Sequence, residues 1–278
     1  YLINSIKSMT RVLVTGASGF IGSNLTRNLV KTEDQINILV REKSNLWRIN
    51  DILSDCNVHT ADLSDFEGIR NLIDKVKPEI VYHCATFGVY PNQKDITKNV
   101  QTNIIGTLNL LTALHENLEL ERLVNLGSVF EYGYKSNSIK ETDLTQPFDS
   151  YSITKVSQTK LVEYYSHQKK LPAVTLRIFT PYGTFEEPGR LISDVMVAAV
   201  KKKPLKILSR KAKRDFVYID DVTNALIKAS KKSGVDGEIF NIGSGVATSV
   251  EDIVNLVCTV TNTNLEVSWS DEDQEKHD

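Results

Sequence analysis

Residues 11–22 read RVLVTGASGFIG: an apolar run, then Gly16, Gly19 and Gly22, then a further apolar segment with helical spacing. A short apolar run closed by glycine fits a buried strand. Glycines between a strand and a helix permit a tight turn, let backbone N–H groups approach a pyrophosphate, and let the helix pack closely on the sheet. In this position the spacing points to a dinucleotide held by Gly16, Ser18, Gly19, Phe20, Ile21 and Gly22. A tight turn without a ligand is the alternative.

The same rhythm continues outward. Strands are expected at RVLVTG (11–16), INILV (36–40), IVYHCA (80–85), RLVNLG (122–127) and AVTLRIF (173–179), with helices over 21–32, 66–76, 96–115 and 151–168. Continuous apolar strands separated by helices predict a parallel sheet covered on both faces, hence an α/β doubly wound (Rossmann) fold. Beyond about residue 185 the elements shorten. The expected organisation is a dinucleotide-binding domain over 9–185 and a smaller substrate-binding lobe over 186–278, interleaved with the first. Residues 1–8 read as a leader or an added remnant, and SDEDQEKHD (270–278) as an acidic solvated tail.

A net charge of −2 leaves no electrostatic footprint for nucleic acid or an anionic membrane, although KKKP (201–204) and RKAKR (210–214) are local basic runs. Cys56, Cys84 and Cys258 are far apart and form no CxxC pair, so neither a disulfide framework nor a metal site is expected and a reducing cytoplasm fits. No apolar run approaches the roughly 18 residues needed to span a bilayer.

Two further places carry chemistry. A NAD site usually sets an acidic residue at the end of the second strand, about 20 residues past the glycines. Here the strand ends LVREKSN, which puts Arg41 near that position. A guanidinium suits the 2′-phosphate of NADP, so NADP(H) is favoured; the adjacent Glu42 keeps NAD(H) open. In YSITK, Tyr151 and Lys155 share a helix face, so a phenol and an ammonium can face one cleft. A phenol with a pKa of about 10 is a poor base at neutral pH, and a neighbouring cation stabilises its phenolate. Tyr151 is therefore a candidate general acid or base.

The ordered set GASGFIG (16–22), HCA (83–85), NIIGTLNLL (103–111), GSVFEYG (127–133), YSITK (151–155), LRIFTPYG (176–183), RDFVYIDDV (214–222) and FNIGSG (240–245) resembles the extended short-chain dehydrogenase/reductase family, in its nucleotide-sugar epimerase/dehydratase branch. The resemblance covers residues 11 to about 264. Members carry further C-terminal residues, so the chain is expected to lack that end. The resemblance implies that Tyr151 is the catalytic acid/base, that Lys155 lowers its pKa and binds the nicotinamide ribose, and that Ser128 hydrogen-bonds the reacting sugar oxygen. It places Asn103 as a support of the active-site lysine, Asp62 and Leu63 beside the adenine, and Cys84, Ala85 and Thr86 under the cofactor. Arg214 would grip the pyrophosphate of a nucleotide-diphosphate sugar, with Arg190 a second candidate. Thr180 stands where many relatives have Asn. Asp220 and Asp221 are expected to cap the next helix.

The implied chemistry is hydride transfer at C4 of the sugar, with Tyr151 moving the proton. Relatives that eliminate water place a carboxylate directly after the Ser/Thr; here those positions hold Val129 and Phe130, which cannot move a proton. Dehydration is thus disfavoured. Glu131 is either a structural ion pair or a base for epimerisation. Reduction of a 4-keto (6-deoxy) nucleotide sugar is expected, a 4-epimerase is the alternative, and a non-catalytic dinucleotide sensor is disfavoured because Ser128, Tyr151 and Lys155 are all present. The resemblance also implies a homodimer through the helices over 101–115 and 151–167.

Overall fold

The computed structural model describes residues 9–32, 34–90, 92–135 and 137–270; residues 1–8, read above as a leader, and most of the acidic tail lie outside them. The first half alternates strand and helix: β1 (Arg11–Thr15), α1 (Phe20–Leu29), β2 (Gln35–Val40), β3 (Asn57–Thr60), α2 (Phe66–Val76) and β4 (Ile80–His83). Next, α3 (Ile96–Asn99), a π-helical segment (Val100–Ile105) and α4 (Gly106–His115) form one broken helix leading to β5 (Arg122–Ser128). A 3-10 turn (Val129–Tyr132), α5 (Ser150–Lys169), β6 (Ala173–Ile178) and β7 (Thr180–Tyr182) follow.

The strands β1 to β6 and one later strand make a single sheet in which every neighbouring pair is parallel. The order is β10-β6-β5-β4-β1-β2-β3, where β10 (Ile239–Ile242) arrives from the last third of the chain. The packing of β1 explains why its centre, Val12–Val14, is apolar at every position. Val12 and Val14 pack with Leu25 and Leu29 of α1 on one face, and Leu13 packs with Leu72, Leu110 and Leu114 on the other. With helices on both faces, neither set of alternating side chains meets water.

The remaining elements are α6 (Leu191–Lys201), β8 (Leu205–Ile207), β9 (Lys213–Tyr218), α7 (Ile219–Lys231), β11 (Ala247–Ser249), α8 (Val250–Thr261) and β12 (Val267–Trp269). Strands β11, β9 and β7 form a small sheet, β12 pairs with β8, and Val195, Phe216, Val250 and Val254 centre a separate core. The chain then recrosses: α7 contributes Val222 and Leu226 to the core of the large sheet. Helix α7 also corrects one expectation. Its N-cap is Tyr218, with no side-chain cap hydrogen bond, and Asp220 and Asp221 lie inside the first turn. There they complement the positive helix end and do not cap it.

His83, at the end of β4, is 1% exposed and bridges the layers: Nδ1 meets Thr15 Oγ1 at 2.8 Å and Nε2 meets Thr107 Oγ1 at 2.9 Å. The Thr107 hydroxyl already donates to the Asn103 carbonyl at 2.8 Å. It must therefore accept from His83, which fixes the neutral Nε2–H tautomer with Nδ1 accepting from Thr15. Burial, and to a lesser degree the charge of Lys155, hold the His83 pKa down to about 3, against 6.5 for a free imidazole. A depressed histidine contributes stability above its unfolded pKa that is lost as pH falls from 6.5 toward 3. At pH 5 the loss is about 2 kcal/mol relative to pH 7.5. Urea unfolding at both pH values should show this loss in the wild type, and His83→Asn should remove that component of the pH dependence.

Candidate active site

The carboxyl ends of β1, β4, β5 and β6 converge where the sheet order reverses between β1 and β4, the usual crevice for a ligand in such folds. Three glycines shape its floor. Gly16 has φ +69°, and a Cβ there would lie 2.6 Å from the Ala85 nitrogen. A Cβ on Gly22 would lie 2.2 Å from the Gly16 carbonyl, so the turn, the helix and the end of β4 share one close contact. Gly19 is the N-cap of α1 without a side-chain cap hydrogen bond, which leaves the first helical N–H groups without that partner. Backbone donors at a helix N-terminus, with no side chain over them, fit a diphosphate. Ser18, Phe20 and Ile21 lie on this turn and first helical residues.

At the far end of the crevice Arg41 is exposed just after β2. Its charge reaches Asp62: burial pushes that carboxyl up, but hydrogen bonds from the Ser64 backbone and hydroxyl, with Arg41, bring it below the ordinary value. Leu63 is buried, and its carbonyl accepts from Asn109 at 2.9 Å. The structure thus brings Arg41 and Asp62 together at the end expected for the adenine ribose.

The expected catalytic set stands over β5 and the start of α5. Ser128 ends β5 and caps the 3-10 turn, its hydroxyl accepting from Phe130 N at 3.3 Å. Tyr151 is 8% exposed, and the Phe130 ring packs edge-on to it at 6.3 Å. Burial raises its pKa to about 12; hydrogen bonds with Ser128 and Thr86 and the charge of Arg190 oppose this, and Glu131 adds to it. Lys155 is 2% exposed and donates to the Leu126 carbonyl at 2.5 Å and to Gln158 Oε1 at 2.6 Å. Burial lowers its pKa to about 8, partly offset by Glu131 and Cys84. Sequence spacing placed Tyr151 and Lys155 on one face without showing that the ammonium turns back to the strand.

Asn103 sits on the π-helical segment, fully buried. Its amide donates to the Phe87 carbonyl (2.8 Å) and to Thr154 Oγ1 (2.9 Å), and its oxygen accepts from Phe87 N (2.9 Å) and the Thr86 hydroxyl (3.2 Å). It therefore ties the loop after β4, with Cys84, Ala85 and Thr86, to α5 one residue before Lys155. The local widening of the helix is a common mark of functional sites.

Over the crevice lies the 184–190 loop. Arg190 pairs with Glu186 at 3.7 Å, and its charge reaches both Tyr90 and Tyr151. Burial raises the Glu186 carboxyl to about 7, against the opposing pull of Arg190. Arg190 thus lies on the Tyr151 side of the crevice. Thr180 lies on β7 and Arg214 on β9, half-buried, in the small sheet. Sequence reasoning passed over Arg48, which is buried and donates to the Phe185 carbonyl at 2.8 Å, to the Ser18 carbonyl at 3.4 Å and to Glu187. It latches the glycine turn to the 184–190 loop. Its signal was absent because nothing local separates it from a surface arginine. Among the described residues no group of three or more His, Cys, Asp or Glu is placed to hold a metal ion, and no helix is long and apolar enough to cross a membrane.

Residues 12–243 match the NAD dependent epimerase/dehydratase family. The chain is 28% identical over 271 residues to a dTDP-D-glucose 4,6-dehydratase of Dictyostelium discoideum, covering 90% of this chain and 62% of that protein. It is 27% identical to a GDP-6-deoxy-D-talose 4-dehydrogenase of Aggregatibacter actinomycetemcomitans, covering 94% and 83%. Among solved structures, the UDP-glucuronic acid 4-epimerase of Bacillus cereus in complex with UDP-glucuronic acid and NAD superposes with a TM-score of 0.83 at 28% identity, covering 93% and 85%.

The glycine turn makes separable demands. Gly22→Ala forces backbone against backbone and should cost at least about 2 kcal/mol of stability. Gly19→Ala, whose Cβ would lie 3.2 Å from the Gly16 carbonyl, should melt near the wild type but bind dinucleotide more weakly. Thermal melting and fluorescence titration with NADH and NADPH measure the two effects.

Proposed function

The chain belongs to the NAD dependent epimerase/dehydratase family, and we propose that it transfers hydride at C4 of a nucleotide-activated sugar, reducing a 4-keto (6-deoxy) nucleotide sugar. The observation that carries this reading is the wall beside Ser128. Val129 and Phe130 follow it, Phe130 lies against Tyr151, and Glu131 is occupied by the Ser128 N–H and Arg177. A 4,6-dehydration needs further acid/base groups at C5 and C6, and these positions provide none. Hydride chemistry at a single carbon needs only one proton carrier.

The nicotinamide, when bound, supplies the hydride. Tyr151, held protonated by its buried setting, donates to the C4 oxygen, and the Ser128 hydroxyl steadies that oxygen as charge develops. Arg214 and Thr180 on the small sheet suit the diphosphate, with Arg190, paired with Glu186, a second candidate for the same anion. The exposed Arg41 supports NADP(H). NAD(H) is supported by the NAD-bound Bacillus cereus structure. That protein's name also supports the second reading, a 4-epimerase, which would use the same groups in both directions.

A homodimer through the helical stretches 101–115 and 151–167 is part of this proposal, supported by Ile105, Ile153 and Tyr164, which are 39%, 51% and 49% exposed. A cytoplasmic setting is supported by the free thiols Cys56, Cys84 and Cys258.

Two measurements test the reading. Tyr151→Phe should bind cofactor as the wild type does while kcat falls about 10³-fold; equal turnover would remove Tyr151 from the mechanism. Pure enzyme should oxidise NADPH with a 4-keto-6-deoxy nucleotide sugar. Interconversion of C4 epimers without net cofactor use would favour the epimerase, and formation of a 4-keto-6-deoxy product from a 4-hydroxy sugar would overturn the proposal.

A further inference from the structure

Glu131 has no solvent exposure, and its two oxygens have different partners. One accepts the Ser128 N–H at 2.8 Å; the other accepts from Arg177 Nε at 2.9 Å. The Arg177 guanidinium lies 4.4 Å over the Tyr132 ring, whose hydroxyl donates to Asn241 Oδ1 at 2.8 Å. Gly127 makes room for the pair: a Cβ there would lie 2.8 Å from Glu131 Oε1 and 2.9 Å from Arg177 Cγ.

A buried ion pair is on average no more stabilising than apolar residues of the same volume, because both charges are stripped of water. Stability alone therefore does not account for this one. Its location does: the carboxylate grips the main chain of Ser128, and its charge reaches both Tyr151 and Lys155. We propose that Glu131, held by Arg177, is a positioning residue of the active site, clamping the Ser128 main chain so that its hydroxyl stays against Tyr151 and fixing a negative charge beside Lys155. The proposal rests on the reading of Ser128, Tyr151 and Lys155 as the reacting set.

The charged and titratable groups facing this cluster are Lys155 and Tyr151 from α5, Arg177 from β6, Tyr132 from the 3-10 turn, Glu141 beside Tyr132, His83 and Cys84 at the end of β4, and Arg190 before α6. Among them Glu131 favours the charged form of Lys155 and the neutral form of Tyr151. Both effects hold the site as an ammonium beside a proton-carrying phenol.

Two variants test this. Glu131→Gln keeps an acceptor for the Ser128 N–H and removes the charge. Glu131→Leu with Arg177→Met replaces the pair by apolar groups, so that folding does not depend on an orphaned charge. In cofactor-free protein labelled with 13Cε-lysine, with Lys155 assigned against Lys155→Met, the wild-type ammonium should titrate at about 8 and Glu131→Gln should titrate lower. In steady-state kinetics the folded double variant should lose about 100-fold in kcat with KM for the nucleotide sugar little changed, as expected when a reacting group is misplaced. An unmoved Lys155 midpoint in Glu131→Gln, or wild-type kcat in the double variant, overturns the positioning role. Absence of turnover by the wild type with every nucleotide sugar overturns the function instead, and the Lys155 titration then decides the role of Glu131 alone.

Discussion

Parallel strands cannot be joined by tight turns, so each must be followed by a crossover that returns over a face of the sheet. In this chain that constraint acts on all seven strands of the main sheet and delivers their carboxyl ends to one edge. The glycine turn follows β1, Cys84 to Thr86 follow β4, and Ser128 ends β5. Residues far apart in sequence become neighbours because every strand runs the same way. The crevice itself opens because the chain leaves β1 toward β2 and β3 on one side and restarts with β4 on the other.

Placing a reactive site on such an edge requires polar groups to be buried under it, and the chain satisfies them with a continuous ladder. Lys155 donates to Gln158, Gln158 donates to Asn125 Oδ1 at 2.7 Å, and Asn125 donates to Thr175 Oγ1 at 3.1 Å. This row crosses from α5 through β5 to β6. Above it, Asn103 links the loop after β4 to α5, and below it His83 joins β1 and β4 to Thr107 on α4. A buried polar group without a partner costs about 1–3 kcal/mol, so each member of these rows depends on the next. The same desolvation that makes the ladder necessary shifts the groups on it: down for His83 and Lys155, up for Tyr151.

The central strands were legible because burial on both faces leaves a short apolar run in each, Val12–Val14 in β1 and Leu123–Val124 in β5. Strand β3 was not: Asn57–Thr60 lies on the sheet edge, three of its four residues are exposed, and no hydrophobic pattern marks it. Strand β10 was missed because its pairing with β6 is long-range, and no local signal records a partner some sixty residues away. The helix over 96–115 was read as continuous; the π-helical segment within it carries Asn103, whose side chain reaches the Phe87 backbone, again a tertiary contact. Tyr151 and Ser128 were legible through motif and resemblance. The direction of Lys155, the pairing of Glu131 with Arg177 and the reach of Arg190 toward Tyr151 were not, since spacing specifies a face of a helix and not the partner a long side chain selects.

That last difference bears on how the site can work. A phenol at about 12 is a proton donor at neutral pH, and a base only if something stabilises its phenolate. The sequence offered Lys155 for that purpose, and two of its three N–H donors go to the Leu126 carbonyl and Gln158 Oε1. In this arrangement Ser128, Thr86 and Arg190 are the groups that oppose the effect of burial on Tyr151. A positive charge arriving over the crevice would act in the same sense, because the phenol lies in an apolar wall where charge is weakly screened. A bound group that brings positive charge would thus lower the Tyr151 pKa from about 12, and one that only buries the phenol further would raise it.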